Sequence, residues 1–239
     1  MKKLAILSVI IPLTCLLLGS CLFSLNESIT GNGNVVTRKR DAQPFEKLEA
    51  STNIRISVTF GDSYLVEVEA DENLHDAIRT EFSNGRLKIY SRTNIRKASE
   101  KTVHVTVPKL KEIDLSAASV MYSRNKLITD DIDVNVSSAA KCELELEAEN
   151  IEINISSAGQ AELKGTAGDI EAHISSSGKL EAFDLEAEDG DIETSSAGKA
   201  YVNVQEKLTA SASSGSGVYY KGKADVNSET SSGGHIERR

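Results

Sequence analysis

The chain has 239 residues, with 36 acidic against 27 basic side chains and a formal net charge of −9. That length supports a substantial core, and 39% hydrophobic residues exclude a disordered polymer. The acidic balance excludes a simple nucleic-acid binder, which needs a basic stripe to displace counterions. With no Trp, 5 Phe and 6 Tyr, the core has to be built from small and β-branched residues.

The first 20 residues read as a secretory signal. Lys2 and Lys3 form a positive start, and the apolar run from Leu4 to Leu18, broken by Pro12, is too short to favour a spanning helix. It ends in Leu18-Gly19-Ser20-Cys21, which resembles the bacterial lipobox. The resemblance implies that Cys21 is lipidated and becomes the mature N-terminus, since several acyl chains on one residue hold a protein to a bilayer far better than one. Cleavage leaves 25 basic against 36 acidic residues, a mature net charge of −11. Cys15 departs with the signal and Cys21 carries lipid, so Cys142 has no partner for an internal disulfide. Residues 21–44 are polar and irregular, as a tether between membrane and domain would be.

A domain is expected over residues 45–239, in two parts. In the first, 45–110, residues 53–60 alternate Ile54, Ile56 and Val58, and Gly61-Asp62 turns the chain into a strand over 64–70, reading as a first hairpin. Asn84-Gly85 signals a second, between 78–82 and 86–90. Residues 102–107 form another strand, stopped by Pro108. These strands are expected to start or cover the end of the second part, where an open sheet edge would invite pairing.

In that second part, 111–239, a Ser-rich motif recurs as SAAS from Ser116, SSAA from Ser137, SSAG from Ser156, SSSG from Ser175, SSAG from Ser195, SSGS from Ser213 and SSGG from Ser231. The spacings are 21, 19, 19, 20, 18 and 18 residues, the signature of a stacked array. Between corners, polarity alternates with period two. Cys142, Leu144, Leu146 and Ala148 align with Ala161, Leu163, Gly165 and Ala167, and Ile151, Ile153 and Ile155 with Ile170, Ala172 and Ile174. Charges fall between them. The expected fold is therefore all-β: a parallel, right-handed, single-stranded β-helix with rungs of about 19 residues, preceded by the N-terminal hairpin and strand region. Stacked corner serines are expected to hydrogen-bond along the axis, and the narrow coil accounts for the scarcity of aromatics.

The order GNGNVVTRKRDAQPFEKLEAS, NIRISVTFGDS, NGRLKIY and VHVTVPKLKEIDLSAAS, followed by serial SSAG corners, is similar to the bacterial putative auto-transporter adhesin head (GIN) domain family, common in lipoproteins of the Bacteroidetes type. The resemblance spans roughly Phe45 to Ile236. It implies a fold like that of pectin-lyase-like proteins, without their catalytic residues, and an adhesion role.

No residues group into a recognisable catalytic, cofactor or metal motif. The acids Asp169, Asp189 and Asp191 lie near strand starts, and Glu152, Glu171 and Glu193 on an outward column. Such acids can serve acid–base chemistry or Ca²⁺, but read as a solvated outer face. His75, His104, His173 and His235 lack metal-ligand spacing, and Cys142 reads as a core thiol. Gly31-Asn32-Gly33 and Gly215-Ser216-Gly217 lack the Lys and the strand-to-helix context of a phosphate loop. Seven equivalent serine corners cannot all be nucleophiles, and no Gly-x-Ser-x-Gly elbow exists. Tyr201, Tyr219 and Tyr220 are the one tyrosine cluster of the repeats and read as core filling. The function expected is a non-enzymatic, lipid-anchored outer-membrane protein of the cell envelope, held by Cys21 and presenting an acidic surface to a protein or glycan partner. The alternative is a polysaccharide-binding or polysaccharide-processing β-helix.

Overall fold

The computed structural model describes residues 28–239. The signal segment and Cys21 lie outside the described residues. The chain forms an all-β solenoid of about seven turns, and the one helical element among the described residues is a short 3-10 turn at Glu72–Leu74.

The repeat supplies the long strands. Lys141–Ile155, Gln160–Ile174, Lys179–Thr194 and Lys199–Ala212 each bend midway, so one strand lines two faces of the coil. In the first, the buried positions are Cys142, Leu144, Leu146 and Ala148, then Ile151, Ile153 and Ile155; the parity switches across exposed Glu149 and Asn150. Register agrees with the sequence alignment: Cys142 stands beside Ala161 and Ile151 beside Ile170. Rungs lie about 4.8 Å apart, so like side chains stack along the axis, as Ile151 does on Ile170 and Ile155 on Ile174. The column Ile153, Ala172, Ile192, Ala210 instead alternates large and small. Among the described residues Phe45 is the one buried aromatic, packed at the N-terminal end against Tyr64 and Phe82 at 5.7 and 5.8 Å.

Each Ser-rich corner is a tight turn of mirror-image type I geometry. In the corner from Ser156, Ser157 and Ala158 have φ of 49° and 61°, and Gly159 donates to the Ser156 carbonyl at 2.8 Å. Two consecutive left-handed residues favour the Ser, Ala and Gly found there. The ladder along the axis runs through the main chain; corner serine hydroxyls cross between rungs only singly, from Ser119 to the Ala50 carbonyl at 3.1 Å and between Ser216 and Thr194 at 2.9 Å, rather than as the expected ladder. Ala139 donates to Ser157, Ala158 to Ser176 and Ser177 to Ser196, each at 3.0 Å. Ser157, Ser176 and Ser196 are exposed, and their hydroxyls face water rather than the next corner.

The solenoid begins earlier than the repeat. Lys47–Ala50 and Arg55–Phe60 pair in parallel with Glu112–Leu115 and Val120–Ser123, one rung below them. Between the two lower strands Thr52 and Asn53, at φ of 63° and 55°, make an eighth corner. Arg86–Ser91 and Lys101–Val107 form a further rung beneath. The division at residue 110 therefore does not separate coil from non-coil. Residues 61–110 supply an end cap and a rung, after which the chain returns to the stack. Ile78–Ser83 and Arg86–Ser91 do form the hairpin that Asn84-Gly85 signals. The first expected hairpin does not form: Lys101–Val107 inserts between Arg55–Phe60, which it meets in parallel, and Leu65–Asp71, which it meets antiparallel.

The segment expected as tether is also folded from residue 28. Ser28–Thr30 pairs with Asn94–Lys97, and Val35–Arg40 pairs antiparallel with Leu65–Asp71. The physical reason is Asp71. Its fully buried carboxylate accepts the amides of Gly33 and Ser99, both at 2.7 Å. Burial pushes its pKa up, but these amide bonds prevail and hold it below the usual carboxylate value. A side chain at Gly31 would begin 2.2 Å from Asp71 Oδ2. The Gly-Asn-Gly loop thus does cradle an anionic group, one belonging to the chain itself.

Candidate functional site

The interior is filled, so the chemistry-bearing groups stand on the outer faces in columns one rung apart. The acids divide differently from the expectation. Asp133, Glu152, Glu171 and Asp191 make one column, and Asp169 and Asp189 lie side by side in another. Glu193 leaves the Glu152 column, because the longer repeat shifts the register by one; it stands beside His173 instead. His173 bridges Glu171 and Glu193 at 3.1 and 3.2 Å. Burial, Glu152 and Glu112 raise the Asp133 pKa. An open groove of about 480 Å³ runs beside the corners, lined by Asn135, Asn154, His173 and Glu193 and by the first serines of the turns. Among the described residues, no group of three or more His, Cys, Asp or Glu is arranged to hold a metal ion.

Two other sequence candidates are structural. Burial pushes the Cys142 thiol up to about 12, as suits a core group. His75 is buried, its Nε2 lies 3.1 Å from the Val36 carbonyl, and burial lowers its pKa.

The tyrosines overturn the expectation of core filling. Tyr220 packs partly against the core, but Tyr201 and Tyr219 point outward. They continue a column that carries Glu143, Glu162 and Glu181 in the preceding rungs. Their rings stack at 4.8 Å with 15° between planes, the rung spacing expressed in side chains. Phe183, which sequence reasoning misses, meets Tyr201 edge-on at 5.5 Å, and His235 meets Tyr219 at 5.8 Å.

The extra residue of the longer repeat places Phe183. Register runs from Glu162–Glu181 to Lys164–Asp184, so the chain bulges at Ala182–Phe183; Ala182 is buried and the phenyl ring turns out. Against the following rung the excess spans Phe183–Leu185, which makes a lip beside Tyr201. The signal was present in the sequence as a spacing of 20 with an aromatic just after an inward alanine. Cations complete the surface: Lys179 Nζ lies 5.3 Å from the Tyr201 centroid, Lys221 Nζ 5.4 Å from Phe183, and the Arg239 guanidinium 4.8 Å from Tyr219.

The fold is thus a filled parallel β-solenoid with its distinctive groups on the outer faces. The chain belongs to the family described as putative auto-transporter adhesin, head GIN domain, whose model matches residues 44–224. That description points to an adhesin-like protein of the cell envelope or surface. Solved structures share the fold. A putative adhesin from Bacteroides fragilis NCTC 9343 is 19% identical, covering 88% of this chain and 100% of that one, with a TM-score of 0.80. A putative adhesin from Parabacteroides merdae ATCC 43184 is 20% identical over 89% and 99%, with a TM-score of 0.72. A protein from Parabacteroides distasonis ATCC 8503, titled a putative lipid binding protein, is 21% identical over 89% and 100%, with a TM-score of 0.71. Among curated proteins, none matches the chain.

Proposed function

We propose that the protein is a non-enzymatic, lipid-anchored adhesin head of the cell envelope, attached through Cys21 and holding its partner on the outer faces of the solenoid. The observation that carries this reading is the outward aromatic and charged columns, fixed in register by a rigid hydrogen-bonded stack. Such a surface is preorganised, so little ordering entropy opposes binding. The lipobox-like sequence at Cys21 supports the anchor, and six residues then separate it from the first described strand at Ser28. The outer membrane is the site that this anchor and the adhesin description support.

Deleting the gene and measuring attachment of cells to surfaces tests the role: attachment falls if the reading holds, and unchanged attachment overturns it. Radiolabelled palmitate incorporation tests the anchor separately. It disappears in Cys21→Ala, and persistence of label in that variant refutes lipidation at this residue.

A further inference from the structure

We propose that Phe183, Tyr201 and Tyr219, with Lys179, Lys221 and Arg239, form a binding site for an acidic polysaccharide, a chain of pyranose rings bearing carboxylates. The inference deepens the adhesin reading, on which it rests for its biological setting, by naming the class of ligand.

Four observations carry it. First, the column that holds glutamates in three earlier rungs changes to tyrosine at 201 and 219, so apolar ring surface replaces charge on an outward face. Second, Phe183 reaches that face through a bulge, a local departure that re-aims a side chain and interrupts the ladder. Nothing in the core needs that ring outside. Third, the rings follow one another at 5.5 and 4.8 Å, so a linear polymer lying along the axis meets an aromatic edge at each rung. Sugar rings carry an apolar C–H face and polar edges, which suits amphipathic tyrosines.

Fourth, the charge here runs against its surroundings. Residues 112–239 contain 24 acidic against 11 basic residues, yet Lys179, Lys199, Lys221, Arg238 and Arg239 gather on or next to this stack. Lys199 and Lys221 have no ion-pair partner among the described residues. They are free to meet ligand carboxylates. Lys179 and Arg239 pair with Glu181 and Glu237, whose remaining oxygens can accept sugar hydroxyls.

Aromatics with cations also suit single-stranded nucleic acid. A single strand carries one phosphate per nucleotide, a charge per unit like that of one carboxylate per sugar, so the oligonucleotide arm of the test separates the two.

The test uses the purified full chain on columns of immobilised polygalacturonate, dextran or a single-stranded oligonucleotide. Polygalacturonate retards the chain, more at low salt than at high salt, and dextran does not. Tyr201→Ala combined with Tyr219→Ala weakens binding by about tenfold or more, the scale expected for losing two stacking rings. Lys221→Gln, which leaves the ring stack in place, weakens it by about threefold and flattens the salt dependence. The unfolding midpoint of each variant, followed by circular dichroism, separates lost binding from lost fold. Absence of retardation, equal retardation by dextran, stronger retention by the oligonucleotide, or full binding in folded variants each overturns the proposal. Attachment lost on gene deletion without polygalacturonate binding would sink this site and leave the adhesin reading. Binding without any effect on attachment would do the reverse.

Discussion

The amide of Asn53 donates to the carbonyl of Ala117 at 2.8 Å, stacking the eighth corner beneath the first of the Ser-rich series. Asn53 holds a φ of 55°, a left-handed conformation that Asn tolerates and β-branched residues resist. Asn53→Val should therefore lower stability by about 1–3 kcal/mol, whereas Asn53→Gly should be close to neutral. Urea unfolding of the two variants checks this, and equal losses would contradict the strain argument.

The fourth corner position is a matter of space. A Cβ at Gly159 would sit 2.5 Å from the Val136 carbonyl oxygen, while the equivalent Ala140 is accommodated and fully buried. Gly159→Ala should cost about 1–3 kcal/mol through overpacking. Ala140→Gly should cost less, about 1 kcal/mol, from chain entropy. Thermal melts of both report the difference.

Glu112 ties three rungs together through ion pairs with Lys47, at 2.6 Å, and with Arg86, which also grips Asp114. Lys47 first, and Arg86 with it, hold Glu112 down at about 2 against the opposing effect of burial. Its folded value lies below its unfolded one, so the stability it adds is complete above about pH 5 and disappears as the pH falls towards 2. Glu112→Gln should lose about 2 kcal/mol at pH 7 and show a shallower decline between pH 5 and 2. Parallel pH titrations of the unfolding midpoint would show identical slopes if the ion pairs contributed nothing.

Cys142 lies at zero exposure with its thiol pushed up to about 12 by burial. The native protein should leave this thiol unlabelled by a thiolate-directed reagent at pH 8, and denaturant should release it. Cys142→Ser should destabilise by about 1–3 kcal/mol, since a hydroxyl would stand in an apolar column beside Ala161. Rapid labelling without denaturant would contradict the inward placement.

Much of this architecture is legible in the sequence because period-two burial and a fixed corner spacing are local signals. Cys142 beside Ala161 and Ile153 beside Ala172 can be aligned by counting. Three kinds of feature escape. The strand Val35–Arg40 reads as tether because its neighbour Asp71, which fixes the preceding loop, is remote in sequence. The corner at Thr52-Asn53 is invisible to a search by period, since a long insertion separates it from Ser116. The aromatic stack is hidden because Phe183 becomes a surface residue only through the bulge. Tyr201 looks like core by residue type, although its parity beside inward Ala200 points it out. In each case the deciding contact crosses rungs.

The buried carboxylate of Asp71 has a mechanical meaning. Under the attachment proposed at Cys21, tension would enter through the N-terminal side, and the first described strand, Ser28–Thr30, is three residues long. Immediately beyond it the load meets Asp71, where one carboxylate grips amides on two different segments, Gly33 and Ser99. Charge-assisted bonds of this kind are roughly twice as strong as neutral ones, and water is excluded from them. Peeling would have to uncover that charge before reaching the sheet. Under that attachment Asp71 would act as a latch at the end where pulling force arrives.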